Sequence, residues 1–274
     1  MFSLTIIPTF YCQYKCSFCF HKDRNIDKEP YYLPDDYIKS FLEKNGNKFD
    51  KIIISGGEPM TYPKVYFDRI VDYAKKSTNN VVINTFPTKL DNYRDDVDYL
   101  ISYDFVSRPH AFEAWNNMLK FPKKFDVVMT LTPQLFSLHP NNIFRKLTLL
   151  KNINSVELKP FIKLSNLSWK ASQDYCDKYM KVFISSKLNL QFTNINKEKI
   201  KLINGFESNY KENNMINYCL LPNKKLAVES YNDLTEIFEY KDIKISDIGL
   251  IKPSYKTVCD LYSDEIVNYG KLNV

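Results

Sequence analysis

The sequence predicts an α/β fold built on a parallel β-sheet. Short apolar runs alternate with amphipathic stretches over residues 1–193, and this alternation is typical of strands joined by helical crossovers. Several runs are almost continuously apolar, as buried parallel strands tend to be. The length of 274 residues fits a single α/β barrel or partial barrel with a modest extension. The periodicity leaves open whether the sheet closes.

The apolar runs give the strands and the amphipathic stretches give the helices. Pro34 favours a helix start directly after it, and residues 66–76 carry apolar side chains at helical spacing. The predicted strands are Ser3–Ile7, Lys51–Ser55, Asn80–Asn84, Phe105–Ser107, Phe125–Leu131, Ser155–Lys159 and Leu188–Thr193. The predicted helices are Asp35–Lys44, Tyr66–Lys76, Ala111–Lys120, Asn142–Leu150 and Ser168–Ser186. This order predicts right-handed crossovers.

The last part of the chain has a different pattern. From about Asn194 the sequence becomes polar and rich in Asn and Lys. Lys225–Ser230 and Thr235–Tyr240 flank a turn at Asn232 and Asp233, which predicts a β-hairpin. We therefore predict a core of residues 1–193 and a C-terminal extension of residues 194–274 that covers the substrate.

Composition sets loose bounds on function. The net charge of +6, from 38 Lys and Arg against 32 Asp and Glu, is mildly basic. A solvated surface explains it best, and an anionic substrate or nucleic acid is the alternative. The N-terminus lacks the pattern of an export signal, and no apolar run is long enough to span a bilayer. We therefore expect a cytoplasmic protein whose six cysteines are ligands, catalytic groups or core residues rather than disulfides.

Three cysteines directly after the first predicted strand form the strongest motif. Cys12, Cys16 and Cys19 have C-x3-C-x2-C spacing, at a strand end of the kind where α/β folds place their chemistry. Iron–sulfur clusters are held by Cys thiolates, ordinarily four. Three local cysteines therefore predict a cluster with one iron open to a substrate or cofactor. The alternative is a structural zinc site completed by His21.

A second motif follows the second predicted strand. Gly56, Gly57, Glu58 and Pro59 come directly after an apolar run. Two glycines allow the backbone to approach a ligand closely, and Glu58 offers a carboxylate to the amino group of a bound amino acid. Alone, these four residues are also consistent with a tight turn. One strand–helix unit after the cysteines, they make the pair of motifs specific.

With both motifs the chain resembles the radical S-adenosylmethionine (radical SAM) superfamily. That family has C-x3-C-x-aromatic-C after its first strand and Gly-Gly-Glu-Pro after its second, and Phe18 fills the aromatic position here. The resemblance implies a partial (β/α)6 TIM-like barrel with a small C-terminal extension. It also implies a [4Fe-4S] cluster at Cys12, Cys16 and Cys19, and reductive cleavage of SAM to methionine and a 5′-deoxyadenosyl radical.

The resemblance also implies contacts to the cofactor. Gly56, Gly57 and Glu58 are expected at the methionine amino group, and backbone near Phe18 is expected at the adenine. Polar residues that end later strands are expected at the ribose and carboxylate. The implied cofactor-binding residues are Phe18, Gly56, Gly57, Glu58, Asn84, Ser107 and Lys159. The catalytic residues that face the substrate carry no readable motif.

Two local similarities bear on the substrate. The cluster segment from Cys12 to His21 is similar to that of the viperin family, which dehydrates CTP. The segment from Asn217 to Val228 resembles a degenerate SPASM or Twitch extension. Those extensions hold auxiliary clusters, but such a cluster needs more cysteines than Cys219 and Cys259 provide.

These observations favour hydrogen abstraction from a small-molecule or nucleotide substrate. The first alternative is modification of a peptide or RNA, and the second is a non-catalytic structural metal-binding protein. A radical SAM enzyme also implies a reductant such as flavodoxin or ferredoxin. Cys176, Cys219 and Cys259 are expected in the core, with donation of a hydrogen atom to a product radical as the alternative for Cys219 and Cys259.

Overall fold

The computed structural model describes residues 2–16, 18–19, 31–132, 134–160, 216–232 and 237–250. Its strands are β1 (Phe2–Ile6), β2 (Lys51–Ile54), β3 (Val81–Thr85), β4 (Asp98–Ser102), β5 (Phe125–Leu131), β6 (Ile153–Pro160), β7 (Ile216–Leu220), β8 (Leu226–Asn232) and β9 (Ile237–Ile243). Its helices are α1 (Asp35–Asn45), α2 (Lys64–Ser77), α3 (Ala111–Leu119) and α4 (Pro140–Leu147). The predicted elements Ser168–Ser186 and Leu188–Thr193 lie outside the described residues, as do Cys176 and Cys259.

The described strands form one nine-stranded sheet in the order β6-β5-β4-β3-β2-β1-β7-β8-β9. Neighbours from β6 to β7 are parallel, whereas β7, β8 and β9 pair antiparallel. Strands β1 to β6 follow the chain order, with α1 to α4 in the crossovers. The fold is therefore α/β, a partial TIM-like barrel that is not closed. The predicted β-hairpin is confirmed as β8 and β9.

Two helices begin after a proline. Pro34 precedes α1 and Pro63 precedes α2, with φ of −54° and −52°, close to the helical value that the proline ring fixes. Helix α2 buries the face that its spacing predicts, namely Phe67, Ile70, Val71 and Ala74. Each large apolar side chain on that face contributes about 1.5–3 kcal/mol by leaving water. Among the described helices, none is long and apolar enough to cross a membrane.

The predicted strand Phe105–Ser107 is wrong. The fourth strand is β4, and Phe105–Ser107 lies in the loop that follows it. The buried carboxylate of Asp104 accepts the backbone N–H groups of Val106 (3.1 Å) and Ser107 (2.5 Å). A side chain that binds nearby N–H groups competes with the hydrogen bonds of a sheet, so Asp104 holds this segment in a loop.

Strand β7, absent from the prediction, attaches the C-terminal strands to β1. The Oδ1 atom of Asn217 accepts hydrogen bonds from the hydroxyls of Ser3 and Thr5, each at 3.0 Å. The ring of Tyr218 is fully buried and packs edge-on against Phe2 at 5.9 Å between centroids. These contacts make β7 to β9 a continuation of the core sheet, while the predicted boundary between residues 193 and 194 lies outside the described residues.

Candidate functional site

The cysteine segment begins shortly after β1. Cys12 and Cys19 are half-buried and Cys16 is buried, and none of the three is in a disulfide. The backbone N–H of Cys19 donates to the carbonyl of Cys16 at 3.2 Å, which turns the chain between them. The hydroxyl of Thr9 accepts the N–H of Tyr11 at 3.0 Å and orders the entry to the loop. Three reduced thiols therefore stand in one loop at the carboxyl end of a central strand.

Burial governs the protonation of these thiols. Burial, together with smaller contributions from the charges of Glu58, Cys16 and Cys19, raises the pKa of Cys12 to about 12. Burial also raises the pKa of Cys16 to about 11, against the opposing influence of Arg108. Without a bound cation both thiols are protonated at neutral pH, so a metal group must displace their protons when it binds.

The Gly-Gly-Glu-Pro loop packs directly against the cysteine loop. Gly56 and Gly57 have φ of +82° and +54°, a backbone conformation that side chains disfavour. A Cβ atom on Gly57 would overlap the carbonyl oxygen of Tyr11, the residue before Cys12. The two sequence motifs therefore meet in space, and only glycine permits their close approach.

Glu58 points into the interior from this loop. Its carboxylate is buried and accepts the N–H groups of Met60 (3.0 Å) and Phe86 (2.8 Å) and the hydroxyl of Thr85. Burial raises the pKa of Glu58 to about 7, and the hydrogen bonds and the charge of Arg108 oppose the shift. A carboxylate has about four acceptor positions, so these contacts leave room for one further donor.

The side chains around Glu58 fix the position of the loop. Asn92, which is buried, donates to the carbonyls of Pro59 (3.0 Å) and Tyr62 (2.9 Å). The Tyr62 hydroxyl, also buried, donates to the carbonyl of Gly56. The loop is therefore held by hydrogen bonds on both sides of Glu58.

Arg108 is a site residue that the sequence prediction missed. Its Nε donates to Asp104 Oδ2 at 3.1 Å, and its Nη2 donates to Ser102 Oγ at 2.6 Å. The guanidinium carbon lies 4.7 Å from the ring centroid of Phe18 and 5.1 Å from that of Phe86. Only the Asp-x3-Arg spacing beside a predicted strand end could have drawn attention to it.

The other predicted cofactor residues lie at the ends of later strands. Ser107 is buried, and its hydroxyl forms a hydrogen bond with that of Thr132. Asn84 is half-buried on β3, one position before Thr85, so strand alternation directs these two side chains to opposite faces. Lys159 lies on β6 opposite Thr130, and its side chain is outside the described part of the chain, as is His21.

The donor set of the cysteine loop fits an iron–sulfur cluster. Cys12, Cys16 and Cys19 lie in one loop, and none of the three is in a disulfide. The thiols of Cys12, Cys16 and Cys19 influence one another electrostatically, and thiolates are the ligands that such clusters take.

Comparison with solved structures supports the fold. Native anSMEcpe with bound AdoMet aligns with a TM-score of 0.61 at 13% identity, over 100% of this chain and 84% of that chain. The FeFe-hydrogenase maturase HydG from Carboxydothermus hydrogenoformans aligns with a TM-score of 0.50 at 14% identity, over 71% of this chain and 53% of that chain. At these identities the similarity establishes the architecture alone.

Sequence comparison identifies the family. A protein of Methanocaldococcus jannaschii, provisionally named a glycyl-radical enzyme activating enzyme, is 44% identical over 52 residues. That segment is 19% of each chain, so this chain spans about a fifth of the relative's length. Residues 6–158 match the family described as the Radical SAM superfamily, and this match covers more than half of the chain. The chain therefore belongs to the radical SAM superfamily, a family of enzymes that use a [4Fe-4S] cluster and S-adenosylmethionine.

Proposed function

We propose that Cys12, Cys16 and Cys19 bind a [4Fe-4S] cluster and that the Gly-Gly-Glu-Pro loop binds SAM beside it. The observation that carries this proposal is the contact between the two loops, where Gly57 abuts the carbonyl of Tyr11. When bound and reduced, the cluster would supply the electron for cleavage of SAM to methionine and a 5′-deoxyadenosyl radical, and this radical would remove a hydrogen atom from the substrate.

The chain's own residues position SAM, and Glu58 supplies a carboxylate for its α-amino group. Glu58 offers its remaining acceptor position to the α-amino group of SAM, and a nearby ammonium favours the ionised carboxylate. Thr85 and the Phe86 N–H orient Glu58. Backbone near Phe18 is the expected contact of the adenine. Asn84, Ser107 and Lys159 stay predictions as further contacts, and a flavodoxin or ferredoxin remains the expected reductant.

For the substrate we propose a small molecule or nucleotide, in keeping with the mildly basic charge of +6. A protein or peptide substrate is the second candidate. It is favoured by the name of the Methanocaldococcus jannaschii relative, although the shared segment is short. Deuterium-labelled nucleotides and deuterium-labelled peptides distinguish the two classes. Deuterium should appear in 5′-deoxyadenosine only when the labelled compound is a substrate.

Iron and sulfide content and electron paramagnetic resonance (EPR) test the proposed cofactor site. After anaerobic reconstitution, we expect about four irons and four sulfides per chain, and an EPR spectrum of the reduced protein that changes when SAM is added. Cys12→Ala should lose the cluster. Cys219→Ala, which alters a buried cysteine of β7, should retain it. Stoichiometric zinc with no cluster in the wild type would overturn the proposal.

A further inference from the structure

A buried ion pair lies at the end of β4, next to the proposed cluster loop. The side chain of Asp104 is fully buried, and that of Arg108 is 10% exposed. Asp104 is fixed by the N–H groups of Val106 and Ser107, and Arg108 is fixed by Asp104 and Ser102. Removing charges from water is costly, so a pair held in this way needs an explanation beyond a solvated surface.

Arg108 is the member of the pair that contacts the cysteine loop. The guanidinium lies against Phe18, which directly precedes Cys19, and against Phe86, which follows β3. Asp104 accepts the N–H groups of Val106 and Ser107 in the loop after β4. Phe18 belongs to the cysteine loop, and the guanidinium carbon lies 4.7 Å from the centroid of its ring. The positive end of the pair therefore faces the cysteine loop.

We propose that Arg108 and Asp104 form a positioning dipole that holds Phe18 and raises the reduction potential of the cluster bound by the loop. The inference rests on the proposed function of the three cysteines. A cluster gains negative charge on reduction, and positive charge beside it favours the reduced state. The paired carboxylate cancels part of that effect, so the pair sets an intermediate potential.

Opposite shifts in midpoint potential test this proposal. Arg108→Gln removes the positive end and should shift the midpoint potential to more negative values. Asp104→Asn removes the negative end, keeps an acceptor oxygen for the turn, and should shift it to more positive values. Arg108→Lys keeps the charge and should lie nearer to the wild type than Arg108→Gln does. The titrations are run without SAM, so that contact between Arg108 and SAM cannot produce the shifts.

Iron content and circular dichroism of each variant establish that the cluster and fold are intact. If Asp104→Asn does not fold, the comparison of Arg108→Lys with Arg108→Gln decides. Potentials that do not change, or that move in the same direction in Arg108→Gln and Asp104→Asn, would overturn the dipole. A wild type that binds no cluster would instead overturn the proposed function, so the two failures are distinguishable.

Discussion

At the scale of single residues, Glu58 is placed where burial and hydrogen bonding oppose each other. Burial removes the carboxylate from water, which favours the neutral form. The Thr85 hydroxyl and the Phe86 and Met60 N–H groups favour the ionised form. Because burial prevails, the pKa rises to about 7, and Glu58 ionises near physiological pH when no ligand cation is present.

The stability of the protein without SAM should therefore fall as the pH rises. The native state holds a proton on Glu58 that the unfolded chain releases near its ordinary pKa of 4.5. The stabilisation that comes from the raised pKa of Glu58 is fully present below pH 4.5 and is lost as the pH rises through about 7. This loss lowers the free energy of unfolding by about 3 kcal/mol. Chemical denaturation between pH 5 and 8 measures this slope.

The matched variants are Glu58→Gln and Glu43→Gln, the latter at an exposed position of α1. Glu58→Gln should flatten the dependence on pH, and Glu43→Gln should leave it unchanged. An equal slope in the wild type and Glu58→Gln would show that Glu58 keeps an ordinary pKa.

The close contact between the two motif loops should also depend on Gly57. Gly57→Ala adds a Cβ atom that overlaps the Tyr11 carbonyl, at a φ that costs a side chain about 1 kcal/mol or more. We expect a lower melting temperature and a lower iron content. Gly249→Ala is the control, because its φ is +88° but its Cβ would lie 3.6 Å from the ring of Phe2, an ordinary contact. Equal iron loss in both variants would contradict a specific role for the loop contact.

At the scale of elements, one side chain of β7 adds hydrogen bonds to β1 beyond the backbone pairing of the two strands. Asn217 is the acceptor for the hydroxyls of Ser3 and Thr5, which are 2% and 7% exposed. Asn217→Leu should lower the free energy of unfolding by about 1–3 kcal/mol, because buried hydroxyls lose their acceptor. Asn154→Leu, at an exposed residue of β6, should have a smaller effect. Urea denaturation measures both, and equal effects would contradict the bridging role.

The sequence predicts elements best where one pattern dominates. Strand β5 and helix α3 agree with the prediction to within a residue because their apolar runs have clear limits. The sequence does not predict β4, because the acidic first residue, Asp98, obscures the alternation that buries Tyr99 and Ile101. The sequence instead predicts that strand at Phe105–Ser107, although the hydrogen bonds of Asp104 hold this segment in a loop.

The residues of the candidate site also differ in how well the sequence predicts them. The cysteines and glycines are identifiable because their spacing is local. Thr85, Asn92 and Arg108 reach the site from separate parts of the chain, and only the fold brings them together. Strand β7 is a similar case, since its parallel pairing with β1 spans more than 200 residues of sequence.

At the scale of the whole molecule, the parallel sheet gathers the site. The cysteine loop, the Gly-Gly-Glu-Pro loop and the Asp104 turn follow β1, β2 and β4 respectively. The carboxyl ends of parallel strands meet at one edge of a sheet. Loops that are distant in sequence therefore contact one another, as Gly57 and Tyr11 do. The antiparallel strands β8 and β9 extend the same sheet beyond β7.

Formation of 5′-deoxyadenosine from SAM tests whether the cysteine loop carries a catalytic cluster. The reconstituted protein is reduced with dithionite under anaerobic conditions, and the product is quantified by chromatography. We expect product from the wild type and from Cys219→Ala, and none from Cys16→Ala. Equal product from Cys16→Ala and the wild type would contradict the assignment of the cluster to the loop of Cys12, Cys16 and Cys19.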